Sequence, residues 1–228
     1  MKITSTFSVA GRCSKTGALG VIVTSSSPSV GARCPWVKES VGAILTQNVT
    51  DPRLANIGLN VMENGFDADS AIQAMKESTP FSEYRQLAVV DSSGKSAVFT
   101  GAEALGVHGE FNSENVASIG NLLSDPTIPK EMGKKFLELE GLPITDRLIA
   151  AIEKGFTMGG ELDQERSIGL LVYLEDAFPY VDLRVDYSDN PLEDLKALWD
   201  IYEPQAEDYR IRAITPEIAP SYGVLGDE

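Results

Sequence analysis

Two apolar stretches, residues 3–11 and 18–25, flank the turn Ser14-Lys15-Thr16-Gly17, and no other feature constrains the fold as much. Strand-like runs joined by a short turn that ends in glycine read as a β-hairpin. The chain must therefore open with antiparallel pairing. Polar turn residues 25–29 follow, then a further apolar run over 41–48 that ends in the amides Gln47 and Asn48. Thr50-Asp51-Pro52 marks a helix start, the apolar face Leu54, Ile57, Val61 and Met62 continues it, and Asn64-Gly65 ends it. A second helix is expected at once, capped by Asp67 or Asp69, buried through Ala71, Ile72 and Met75, and stopped at Thr79-Pro80. Residues 85–91 and 95–100 predict another hairpin, 116–121 a strand, 129–139 and 145–154 helices, 168–174 and 181–186 strands, and 191–202 a last helix. Strands interleaved with helix pairs in this way predict a layered α+β domain, sheet packed on sheet inside helices.

The chain of 228 residues suits one domain, expected over residues 1–204. The tail over 205–228 carries Tyr209, Ile211, Ile214, Ile218, Tyr222 and Leu225 among prolines. That is too apolar for a solvated linker. It is expected to wrap the body or a neighbouring subunit, giving a homodimer or higher homo-oligomer. A formal charge of −15 argues against nucleic acid and anionic membrane surfaces, both of which need a basic footprint. No run of 18 apolar residues is present. Cys13 and Cys34, with no signal-like stretch before them, read as reduced thiols of a cytoplasmic protein.

His108 is the chain's one histidine. With Cys13 and Cys34 it makes too small a ligand set for zinc, so neither metal nor cofactor is expected. A serine or cysteine nucleophile would need His108 as its base, in what reads as an irregular segment. A threonine needs no histidine when its own α-amine is the base. Thr6, opening the first strand, is the candidate, with a plain strand threonine as the alternative. Gln47, Asn48 and Asn121 at strand ends, and the N–H groups after Ser25, are candidate oxyanion or substrate donors. Arg33 and Arg85 could grip a substrate carboxylate or form ion pairs. Cys34 reads as a small apolar residue, Asp182, Arg184 and Asp186 as a salt-bridge ladder, and the glycine-rich pieces as turns.

Thr6-Phe7-Ser8, residues 21–28, Cys34-Pro35-Trp36, Gly42 with Thr46-Gln47-Asn48, Tyr84-Arg85-Gln86, Thr100-Gly101, Gly120-Asn121 and residues 182–186 resemble the uncharacterised DUF1028 family, grouped with the Ntn-hydrolase superfamily. The resemblance implies a four-layer αββα sandwich. By superfamily analogy it implies hydrolysis of a small-molecule amide bond by an N-terminal nucleophile, Thr6, without a metal. The other reading is a non-catalytic ligand-binding or assembly protein that keeps this fold. Two features depart from the family's pattern. Five residues precede Thr6, where many relatives have only the initiator, and residues 159–167 lack the usual Gly-Gly-Asp and Arg-Gly form.

Overall fold

The computed structural model describes residues 5–224 and residue 226. The expected strand start at Ile3 and the tail residue Leu225 lie outside them. The described residues form a mixed α/β structure with two antiparallel sheets and five α-helices. The strands are β1 (Thr6–Arg12), β2 (Leu19–Ser25), β3 (Pro35–Lys38), β4 (Gly42–Asn48), β5 (Arg85–Asp91), β6 (Ser96–Thr100), β7 (Gly109–Ser113), β8 (Val116–Asn121), β9 (Ser167–Tyr173) and β10 (Val181–Val185). The helices are α1 (Arg53–Glu63), α2 (Ala68–Glu77), α3 (Ile128–Glu138), α4 (Ile144–Thr157) and α5 (Pro191–Ile214).

The expected hairpin forms. β1 and β2 pair with Thr6 opposite Ser25, and Cys13 N–H donates to the Ala18 carbonyl at 2.8 Å to close the turn. Gly17 takes φ of 77°, which a residue without Cβ adopts freely. The larger sheet has the order β10-β9-β2-β1-β8-β7 and the smaller β3-β4-β5-β6.

Every residue of β2, β5 and β8 is buried, so their apolar residues follow one another without alternating with exposed polar ones. Each of their faces has its own cover. Ala10, Val21, Val23, Ala43, Leu45, Ala88, Val90, Ala117 and Ile119 form one apolar cluster between the sheets. Phe7, Val9 and Ile22 turn the other way onto Met132, Phe136, Leu148 and Ile152 of α3 and α4. Ile44, Leu87 and Val89 meet Leu54, Ala55, Leu59 and Met75 of α1 and α2. Side chains alternate along a strand, so this sorting fixes the parity of the whole molecule.

Two strands had no clear sequence signal: β3 and β7, both at sheet edges. The segment expected to be irregular around His108 gives way to β7 at Gly109. Asp67 caps α2, accepting from Ser70 N–H at 2.9 Å. The last helix runs on to Ile214, through Pro204, where an end near Tyr202 was expected. Proline removes one helix hydrogen bond. Beyond it, Tyr202 stacks on Tyr209 at 5.9 Å, Ala206 is buried, and Arg210 pairs with Asp176 at 2.5 Å, which together hold the continued helix. No helix among the described residues is long and apolar enough to cross a membrane.

Candidate functional site

The parity set by the core decides what meets at one end of the sheets. Ala10 faces the gap between the sheets, so Ser8 and Thr6, on the same side of β1, face it too. Likewise Val21 and Val23 carry Ser25 to that gap, Ala117 and Ile119 carry Asn121, Ala43 and Leu45 carry Gln47, and Ala88 and Val90 carry Gln86. Thr6 lies in register between Ser25 on one neighbour and Asn121 on the other. An apolar interlayer thus ends in hydroxyls and amides, all of them buried.

The polar groups form two connected sets. In the first, the carbonyl oxygen of Ser5 accepts from Thr6 Oγ1 at 2.6 Å and from Ser25 Oγ at 2.5 Å. The two hydroxyl oxygens lie 3.3 Å apart. Ser25 Oγ in turn accepts from Ser27 N–H at 3.0 Å and lies 2.8 Å from Ser27 Oγ. Arg33 completes this set, donating through Nη2 to Ser27 Oγ at 2.9 Å and through Nη1 to the Pro28 and Ser29 carbonyls at 2.8 and 3.0 Å. These three oxygens are all neutral. Ser5 itself is 2% exposed and donates its N–H to Ser26 Oγ at 3.0 Å.

In the second set, Gln47 Nε2 donates to the Thr6 carbonyl at 3.2 Å and to Gln86 Oε1 at 3.1 Å, while its own Oε1 accepts from Ser8 Oγ at 2.6 Å. Gln86 Nε2 reaches the Gly120 carbonyl at 3.0 Å, and Asn121 Nδ2 donates to Gln86 Oε1 at 3.1 Å. These amides bolt one sheet to the other directly behind Thr6. Asn121 Oδ1 is buried without a partner among the described residues.

A carboxyl that sequence reasoning did not single out closes the site. Glu161, 6% exposed, follows Gly159 and Gly160, which have φ of 105° and 54°. Its Oε2 accepts from Ser26 N–H at 2.8 Å, its N–H donates to Glu165 Oε1 at 2.9 Å, and its enclosed Oε1 has no partner among the described residues. Burial pushes Glu161 up from 4.5 to about 8, the nearby Glu165 charge adds to this, and hydrogen bonds from Ser26 and the Ser5 hydroxyl oppose it. Burial raises Glu165 as well. Glu161 is thus a neutral acid across most of the ordinary pH range.

Of the expected residues, Thr6, Ser25, Gln47, Asn121 and Arg33 are gathered in or beside these two sets. Asn48, at φ of 75°, fastens loops, donating to the Tyr84 carbonyl at 2.8 Å and accepting from Leu105 N–H at 3.2 Å. Arg85 turns to the other face of β5, where it donates to the Val49 carbonyl and lies 4.0 Å from Asp51. His108 is exposed on the loop before β7 and takes no part in the bonds around Thr6. Cys34 is buried, and burial lifts its thiol to about 11. Arg184 pairs with Asp182 at 3.6 Å, as the ladder reading expects. Among the described residues no group of three or more His, Cys, Asp or Glu could hold a metal ion. Glu161 carried little signal because two glycines and an acid also describe any surface turn.

Residues 6–195 match the family described as DUF1028, a family of unknown function, and the match begins at Thr6. A crystal structure of a DUF1028 protein from Silicibacter pomeroyi is similar over 87% of this chain and 89% of that one, with 28% identity and a TM-score of 0.79. Anbu (ancestral beta-subunit) from Yersinia bercovieri aligns over 90% of this chain and 96% of its own, at 10% identity and a TM-score of 0.44. A Gly-1 mutant of Anbu from Hyphomicrobium sp. strain MC1 aligns over 89% and 96%, at 10% identity and a TM-score of 0.39. No curated protein matches the chain significantly.

Proposed function

The chain belongs to the DUF1028 family, and from that footing we propose that it is an N-terminal-nucleophile-type hydrolase that severs its own Ser5–Thr6 bond and then cleaves an amide bond of a small molecule. One observation carries this reading: the hydroxyls of Thr6 and Ser25 both donate to the Ser5 carbonyl oxygen, at 2.6 and 2.5 Å. A carbonyl so polarised, beside the hydroxyl of the next residue, is arranged for addition of that hydroxyl. The apolar clusters inside and outside the two sheets support the four-layer αββα arrangement that this chemistry uses elsewhere.

The first reaction balances without a co-reactant other than water. Thr6 Oγ1 adds to the Ser5 carbonyl carbon, and the Ser25 hydroxyl donates to the resulting oxyanion. Collapse breaks the carbon–nitrogen bond, and the proton lost from Oγ1 passes to the Thr6 nitrogen. An ester now joins Ser5 to Thr6 Oγ1. Water hydrolyses it, freeing a carboxylate on Ser5 and a free amine on Thr6. That amine, with a reference pKa of about 7.7 to 8.0, is the base that activates the same hydroxyl towards the next amide. Ser25 keeps its role as donor, and Gln47 holds the Thr6 carbonyl so that the nucleophile does not shift.

Intact mass of the purified chain tests this. The expected product lacks residues 1–5, and Thr6→Ala abolishes both the loss and any amidase turnover. Amidase activity that persists in Thr6→Ala would exclude Thr6 as nucleophile. An active chain that retains residues 1–5 would exclude the scission.

A further inference from the structure

We infer that Ser5 is a built-in stand-in for the acyl half of the substrate, so that the site selects short polar acyl amides whose α N–H meets Ser26 and whose side-chain hydroxyl meets Glu161. The inference rests on Thr6 acting as nucleophile and goes on to say which amides it accepts. An acyl group attacked by Thr6 Oγ1 must bring its carbonyl oxygen to Thr6 and Ser25, where the Ser5 oxygen now lies. Its α-substituents then fall where the nitrogen and side chain of Ser5 fall.

Those positions are defined. The Ser5 N–H donates to Ser26 Oγ at 3.0 Å, which is the place for an α-amino or α-amido N–H. The Ser5 side chain lies at the Glu161 carboxyl, and the residue is 2% exposed, so a larger group would meet walls. Glu161 Oε2 is occupied by Ser26 N–H at 2.8 Å, whereas Oε1 is enclosed and has no partner. An enclosed carboxyl oxygen without a partner favours whichever acyl group brings a polar atom to it. The carboxyl is also held in place. Its own N–H is fixed on Glu165 Oε1 at 2.9 Å, and a Cβ on Gly160, whose φ is 54°, would displace that oxygen. Serine-like acyl groups fit on every count, whereas branched apolar ones keep only the α N–H contact.

The full chain reports on this through its own scission, followed as loss of residues 1–5 by intact mass over time. Ser5→Ala should slow scission about tenfold, the loss expected when one buried hydrogen bond is missing. In Glu161→Ala, serine and alanine at position 5 should cleave at equal rates, because the partner that distinguishes them is gone. Glu161→Gln keeps the shape and an acceptor oxygen, and should retain part of the preference, which separates recognition from collapse of the loop. Ser5→Leu should hardly cleave. On the processed enzyme, L-serinamide should release ammonia at least about tenfold faster than L-leucinamide by the same reasoning. An undiminished Ser5 preference in Glu161→Ala, or a Ser5→Leu chain that cleaves like the parent, would overturn the inference and leave Thr6 as nucleophile standing. A parent chain that never cleaves would overturn both.

Discussion

Replacing Glu161 by glutamine should change how stability depends on pH. Glu161 titrates at about 8 in the folded chain against an ordinary value of 4.5, because burial and the neighbouring Glu165 both penalise its charged form. Its folded-state affinity for the proton is the higher one. Below about pH 4.5 both states hold the proton and nothing is lost. Between 4.5 and about 8 the unfolded chain releases it while the folded chain keeps it, so the unfolded state gains and stability falls as pH rises. At about 1.36 kcal/mol for each tenfold change in proton affinity, the gap amounts to a ceiling of about 5 kcal/mol, reached near pH 8 and flat above it. Any water admitted to the folded carboxylate lowers that figure. Glutamine cannot titrate. The difference in unfolding free energy, Glu161→Gln minus parent, should therefore climb by several kcal/mol from pH 4.5 to 8, with contributions cancelling from the groups that do not interact with Glu161, which leaves only Glu165 coupled to the change. Urea denaturation at half-unit pH intervals measures it, with Thr6→Ala in both proteins to keep residues 1–5 attached. Parallel stability curves for the two proteins would refute the buried, raised carboxyl and its part in the site.

Three further outcomes are expected. Ser25→Ala removes one of the two hydroxyls on the Ser5 carbonyl and should slow scission about 10²- to 10³-fold, the usual effect of losing an oxyanion donor; an unchanged mass time course would remove Ser25 from the chemistry. Iodoacetamide at pH 8 should label Cys13, whose half-exposed thiol is held lower by hydrogen bonds from the Thr16 turn, and spare Cys34, which is buried and lifted to about 11; peptide mapping after brief treatment decides, and early labelling of Cys34 would contradict its burial. Removing residues 215–228 deletes the exposed apolar groups Ile218, Tyr222 and Val224 and should lower the subunit count in light scattering; an unchanged mass per particle would show that the tail does not hold subunits together.

The central strands were legible because each is covered on both faces and so buries apolar residues without a break, while the edge strands β3 and β7 were not. β3 is four residues long and starts at a proline, and β7 reads Gly-Glu-Phe-Asn-Ser; each pairs with only one neighbour in its sheet, so little in its composition marks it. Pro204 suggested a helix end, yet α5 passes through it because contacts distant in sequence, such as Arg210 with Asp176, hold the far side.

Within the site, polar residues at the ends of apolar strands were a sound signal for Thr6, Ser25, Gln47 and Asn121, since such groups need partners at a sheet's end. Parity was the harder matter. Arg85 and Gln86 are adjacent, and either suits a binding site by its chemistry, but a strand sends neighbours to opposite faces. Ala88 and Val90 face the interlayer, so Gln86 does too and joins Gln47 and Asn121. Arg85 follows Leu87 and Val89 to the other face, towards Val49 and Asp51. Glu161 lay beyond even that argument. Its partner Ser26 is 135 residues away, and only the folded loop brings the two together. What was missing from the linear reading was therefore not Thr6 but the acid that meets Ser26, because a carboxyl in a loop acquires its raised proton affinity only from the burial that the fold imposes.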